Sequence, residues 1–94
     1  MRTLVWSSAF LRAFRRAVRR QPEIRPRVER VLRLVSEDPF QPALRSHKLK
    51  GDLAGAWACT VDYDNRILFE LVQNPDSGEE EIFLLTMGTH DEVY

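Results

Sequence analysis

Apolar residues recur at helical spacing as far as Val35 and at strand spacing after Ala56, and that change of period decides the architecture. Phe10, Phe14 and Val18 stand four apart, with Leu11 and Ala17 beside them. They make one apolar stripe on a helix that Ser7 or Ser8 can cap and that runs to about Arg20. Gln21-Pro22-Glu23 breaks the pattern, and Pro26 is tolerable only in the first turn of a second helix. Val28, Val31, Leu32 and Val35 form a second stripe until Ser36-Glu37-Asp38-Pro39 stops it. Two amphipathic helices joined by so short a break read as a hairpin, and each stripe needs a surface to cover.

The second half supplies that surface. Residues 40–55 are irregular, punctuated by Pro39, Pro42, Gly51 and Gly55. Ala56–Asp62 then alternates, with Trp57, Cys59 and Val61 on one face. Asn65–Val72 is apolar enough for a central strand. Asn74-Pro75-Asp76-Ser77-Gly78 is a turn, and Glu81–Met87 a further strand. Three consecutive strands with short connections read as an antiparallel meander, and Thr3–Trp6 reads as one more strand at the start. The expected order is β-α-α-β-β-β. This is an α+β fold in one domain over residues 1–94, its helical hairpin packed on one face of an antiparallel sheet of three to four strands. A chain of 94 residues holds one modest core, and no repeat or linker divides it.

Composition narrows the function. No apolar run approaches the roughly 20 residues of a membrane span, and the start of the chain does not read as a secretory signal. Cys59 is the only cysteine, so an intrachain disulfide and a thiolate cluster are both excluded; a reducing cytoplasm is the expected location. The formal charge is zero, yet residues 1–50 hold thirteen of the fourteen Lys and Arg against four acids. Residues 51–94 hold Arg66 alone against ten acids. That asymmetry suits a polyanion partner for the basic part, a match between the two halves, or simply solvated helix faces.

There is no glycine-rich phosphate loop, Cys-x-x-Cys pair, HExxH or nucleophile elbow, and two histidines with one cysteine argue against a transition-metal site. Three segments carry the polar chemistry. In Ser46-His47-Lys48-Leu49-Lys50-Gly51 a loop histidine flanked by lysines suits acid–base work beside a phosphate, or is plain exposed polarity. In Asp64-Asn65-Arg66 the one late arginine precedes the central strand. It is either ion-paired to Asp62, Asp64 or Glu70, or held rigid to grip a phosphate bidentately. In Gly88-Thr89-His90-Asp91-Glu92-Val93-Tyr94 a His, acids and a Tyr come after the last strand, as a reactive loop or as an acidic tail.

The order of these elements resembles a known superfamily across essentially the whole chain. His47-Lys48-Leu49-Lys50-Gly51, Trp57, Asn65-Arg66-Ile67-Leu68-Phe69 and Gly88-Thr89-His90 look like the RelE/ParE toxins of toxin–antitoxin systems. The "H-x-L-x-G" and "G-T-H" elements are similar to the YafQ branch, and "L-K-G", "R-I-L-F" and "E-V-Y" are shared with RelE. The resemblance implies a ribosome-dependent mRNA endonuclease held inactive by a cognate antitoxin. It would bind ribosome and mRNA and cut by attack of the 2′-hydroxyl, with no metal or other cofactor.

On that resemblance His90 is the general acid, His47 the base or a phosphate ligand, and Arg66 the stabiliser of transition-state charge. Lys48 and Lys50 would hold the RNA backbone, and Tyr94 would stack on a base or bond a phosphate. The chain departs from the YafQ pattern at Thr60, where that branch carries another histidine. The YafQ acid falls on Asp64 or Asn65, depending on a one-residue gap. The rival reading is a ParE-like toxin that inhibits DNA gyrase by binding, a task needing no acid–base pair.

Overall fold

A computed structural model describes residues 1–94. In chain order it contains β1 (Leu4–Trp6), α1 (Ser8–Arg20), α2 (Ile24–Glu37), β2 (His47–Lys48), β3 (Trp57–Thr60), β4 (Asn65–Gln73), β5 (Glu80–Thr89) and α3 (His90–Val93). The Ser7 hydroxyl accepts the Phe10 amide at 2.9 Å and starts α1. α2 begins two residues before Pro26, which therefore occupies a first-turn position where its missing N–H costs nothing. No helix is long and apolar enough to cross a membrane.

The sheet has five strands in the order β1-β5-β4-β3-β2, and it is mixed. β1 runs parallel to β5, while the other neighbours are antiparallel. The sheet thus exceeds the expected three to four antiparallel strands by β2 alone, and β1, an expected strand, joins it in parallel. His47-Lys48 is a strand only because Ala58 and Trp57 lie opposite; two residues show no period of their own. β1 is parallel because the whole helical hairpin lies between it and the meander, and a parallel pairing needs a connection of that kind.

The apolar stripes of both helices and one face of the sheet form a single core. Phe10, Phe14, Ile24, Val28, Leu32 and Val35 meet Cys59, Ile67, Phe69, Ile82, Leu84 and Met87. Leu84 and Met87 are an odd number of residues apart and would lie on opposite faces of a regular strand. A bulge solves this: Leu68 pairs with Thr86 but Phe69 pairs with Leu84, so Leu85 is the extra residue. Its carbonyl accepts the Ser7 hydroxyl at 3.1 Å. Burial pushes the Cys59 thiol up to about 12, despite a backbone hydrogen bond from Ile67 and the charge of Arg66, so this cysteine is a core residue and no nucleophile.

Residues that alternate with the core set face away from the helices. Thr60, Arg66 and Gly88 lie side by side across β3, β4 and β5, and His47 lies beside Ala58 and Leu68. This open face, at the end where β4 starts and β5 finishes, carries the polar chemistry.

Candidate active site

The connection from β3 to β4 is built by one carboxylate. Asp62 Oδ1 accepts the Asp64 amide at 3.0 Å, the Asn65 amide at 2.8 Å and Asn65 Nδ2 at 3.0 Å. Its Oδ2 accepts Arg27 from α2 at 3.2 Å. Burial alone would raise this carboxyl, but hydrogen bonds from the Asn65 side chain, the Asn65 and Asp64 amides and Arg27 outweigh it, and the group stays ionised below the usual range. An aspartate that binds the backbone two and three residues ahead shapes a tight turn.

That turn holds Arg66. Its Nη1 donates to the carbonyls of Asp62 at 2.7 Å, Asn65 at 3.0 Å and Tyr63 at 3.1 Å. No carboxylate, neither Asp62, Asp64 nor Glu70, lies within ion-pairing distance of it. Of the two possibilities for this arginine, the ion pair is therefore absent. The guanidinium is oriented by neutral oxygens and keeps its whole positive charge.

The segment after β5, expected as a loop or tail, is a single helical turn. The Thr89 hydroxyl accepts the Glu92 amide at 3.3 Å, while Glu92 Oε1 accepts the Thr89 amide at 2.8 Å. This reciprocal capping box is spelled Thr-x-x-Glu in the sequence, a local signal for a helical turn. The turn folds back over Gly88, where an added Cβ would stand 3.1 Å from Glu92 Cβ and 3.3 Å from Val93 Cγ1, so a side chain there would push the turn back by a few tenths of an ångström. The His90 amide donates to the Asp64 carbonyl at 3.1 Å, joining α3 to the β3–β4 turn. Arg20, at the end of α1, reaches Glu92 at 3.4 Å.

Glu92 is held below the usual carboxylate range by the Thr89 amide first, against the opposing effect of burial, with help from the Thr89 hydroxyl and Arg20. A depressed carboxylate stabilises the fold above its unfolded pKa and loses that contribution as pH falls through its folded pKa. Protection of the Thr89 amide against hydrogen exchange should accordingly fall on acidification below about pH 4. In Glu92→Gln the same amide should show no such step. An identical acid response in both proteins would assign the loss to another group.

His47, Tyr94 and His90 form a chain on the open face. Tyr94 Oη lies 3.2 Å from His47 Nε2, and the Tyr94 and His90 rings meet edge to face at 4.5 Å between centroids. His47 Nδ1 lies 3.3 Å from the Arg45 carbonyl. A carbonyl can only accept, so Nδ1 carries the proton, and in the neutral ring the Nε2 lone pair faces the phenol. Burial raises the Tyr94 phenol above its ordinary value; Arg66 opposes this and Cys59 adds to it. The phenol is therefore protonated at neutral pH and donates to His47.

Between the β3–β4 turn and α3 lies an open recess of about 320 Å³ lined by Tyr63, Asp64, Arg66, Thr89, His90 and Asp91. It gathers three of the residues singled out in the sequence: Arg66, His90 and Asp64. His47 joins them through Tyr94. Of the two candidate positions for the acid, Asp64 lines the recess, while Asn65 is buried and bonded to Asp62. Thr60 lies beside Arg66 on the same face. Lys48 and Lys50 are exposed but outside the recess, and Lys48 pairs with Trp57, on the helix side of the sheet. His90 Nδ1 stands 3.6 Å from Asp91 Oδ1. No three His, Cys, Asp or Glu side chains converge as metal ligands. Tyr63 and Asp62, both central to this geometry, were not singled out as site residues; Asp-x-Asp-Asn is the turn signal that points to them.

Comparison with known proteins bears on the family and the fold. The sequence model of one family, described as the bacterial toxin of type II toxin–antitoxin system, YafQ, matches residues 2–94. No curated protein matches in sequence. Among solved structures, YafQ from E. coli has a TM-score of 0.80 at 16% identity, covering 100% of this chain and 99% of its own. A YoeB/ParE toxin from Agrobacterium tumefaciens gives 0.76 at 19% identity, covering 94% of this chain and 98% of its own. The E. coli DinJ–YafQ toxin–antitoxin complex gives 0.78 at 16% identity, covering 99% of this chain and 97% of that one. At such identities the likeness is one of fold.

Proposed function

The chain belongs to the YafQ family of bacterial toxins of type II toxin–antitoxin systems, and on that premise we propose that it is a ribosome-dependent endonuclease that cleaves mRNA and so stops translation. The observation that carries the reading is Arg66, held by three main-chain carbonyls with no acid to neutralise it, in a recess shared with His90. Preorganised positive charge beside an acid–base group is what transesterification at phosphorus requires.

In the proposed reaction the 2′-hydroxyl oxygen attacks the adjacent phosphorus and the bond to the 5′-oxygen breaks. One proton leaves the 2′-oxygen and one reaches the 5′-oxygen, so no water or metal is consumed. The products are a 2′,3′-cyclic phosphate and a 5′-hydroxyl. Arg66 neutralises the phosphorane, and His90, exposed at the recess, protonates the leaving oxygen. His47 presents its Nε2 lone pair to the Tyr94 phenol and serves as base or phosphate ligand from beyond that ring. Asp64 sits beside His90 and orients it or the 2′-hydroxyl. Lys48 and Lys50 bind backbone phosphates flanking the recess, and the exposed arginines of α1 and α2 meet ribosomal RNA, where phosphate contacts give affinity without sequence readout. A cognate antitoxin keeps the enzyme inactive until it is needed, as the solved pairing of E. coli YafQ with DinJ supports.

The test is incubation of the purified, antitoxin-free protein with translating ribosomes and mapping of the message ends. Discrete cuts bearing 2′,3′-cyclic phosphates are expected. Intact message from folded protein would overturn the reading and direct attention to inhibition of DNA gyrase, measured by supercoiling.

A further inference from the structure

We infer that Tyr63 is a stacking platform for an unpaired nucleobase adjoining the phosphate at Arg66, a binding site beyond the residues assigned above. The inference rests on the proposed action on RNA. Tyr63 is 92% exposed, and its hydroxyl has no hydrogen-bond partner within the protein. A tyrosine ring ordinarily buries most of its surface, and one held out in water at the lip of a recess has its apolar face free for a ligand.

The ring is exposed, but its backbone is anchored. The Tyr63 carbonyl accepts Arg66 Nη1 at 3.1 Å, and the Asp62 carboxylate ties down the two residues after it. The platform is therefore registered to the guanidinium that would grip the phosphate. Tyr63 is also the only apolar residue lining the recess; its other walls are Asp64, Arg66, Thr89, His90 and Asp91. Tyr94, the other aromatic nearby, is already engaged with both histidines. A phosphate at Arg66 places the base of its own nucleotide within one nucleotide's length, where Tyr63 offers the free π-face. Stacking reads that face and not the base edges, so the site accepts all four bases with a bias toward the larger purines.

The experiment measures binding of wild type, Tyr63→Phe and Tyr63→Ala to ribosomes programmed with a 2′-deoxy-substituted message, which cannot be cut. Tyr63→Ala should weaken binding by about 5- to 150-fold, the range that loss of one base stack produces, while Tyr63→Phe stays close to wild type. An abasic message nucleotide at the stacking position should cost the wild type a similar factor and Tyr63→Ala nothing further. Equal binding by Tyr63→Ala and wild type, an equal loss in Tyr63→Phe, or no binding by wild type would each overturn the inference. Tyr63-dependent binding by a protein that leaves natural message intact would sink the nuclease reading alone. Cutting with binding indifferent to Tyr63 would sink the platform alone.

Discussion

Replacing His90 by alanine should lower the rate of message cleavage on translating ribosomes by about 10²- to 10⁴-fold, the usual worth of a positioned general acid or base, without moving the cut positions. The ring is exposed, meeting the Tyr94 edge at 4.5 Å and standing 3.6 Å from Asp91, so truncation leaves no buried cavity and should leave thermal stability near wild type. A His90→Ala enzyme that cuts at the wild-type rate would shift the acid role to His47 or to the Tyr94 phenol.

Arg66→Ala should cost about 10²- to 10³-fold in the cleavage step, comparable with losing one donor that stabilises developing anionic charge. The cost should appear in the rate with saturating ribosomes more than in the concentration needed to saturate them, because the charge matters most when the phosphorane forms. Arg66→Lys should recover little. An ammonium cannot bond three turn carbonyls and still present a planar pair of N–H groups to a phosphate. The carbonyls freed in either variant lie at a part-buried, solvent-accessible turn, so the stability change should stay at about 1 kcal/mol. Full rescue of rate by lysine would show that charge alone, and not the fork geometry set by the turn, is what this position supplies.

Much of this protein is legible in residue order. Helical spacing from Phe10 to Val18 and from Val28 to Val35, with Ser7 and the Pro22 break, places both helices correctly. The alternation around Trp57 and Cys59, the apolar run at Ile67–Phe69 and the turn at Asn74–Gly78 place the meander. His47, Asp64, Arg66, His90 and Tyr94 stand out because they are polar groups at the ends of apolar elements. Those signals are local, carried by nearest neighbours and by burial period, and a chain displays them before it folds.

Other features exist only through partners distant in sequence. β2 is two residues long and is a strand because β3 lies beside it. The bulge at Leu85 cannot be read within β5, since it arises from the need to turn both Leu84 and Met87 toward one core. Most of the site belongs to this second kind. Sequence left Arg66 evenly poised between ion pairing and phosphate binding; only the turn formed by Asp62, itself anchored by Arg27 from α2, satisfies the guanidinium with carbonyls and leaves its charge unpaired. Local propensity and periodicity fix both helices and the meander, and residue order shows which side chains are available for chemistry. The tertiary structure alone decided which of them meet, because electrostatics and hydrogen bonding act over a few ångströms between residues that lie, like His47 and Tyr94, half a chain apart.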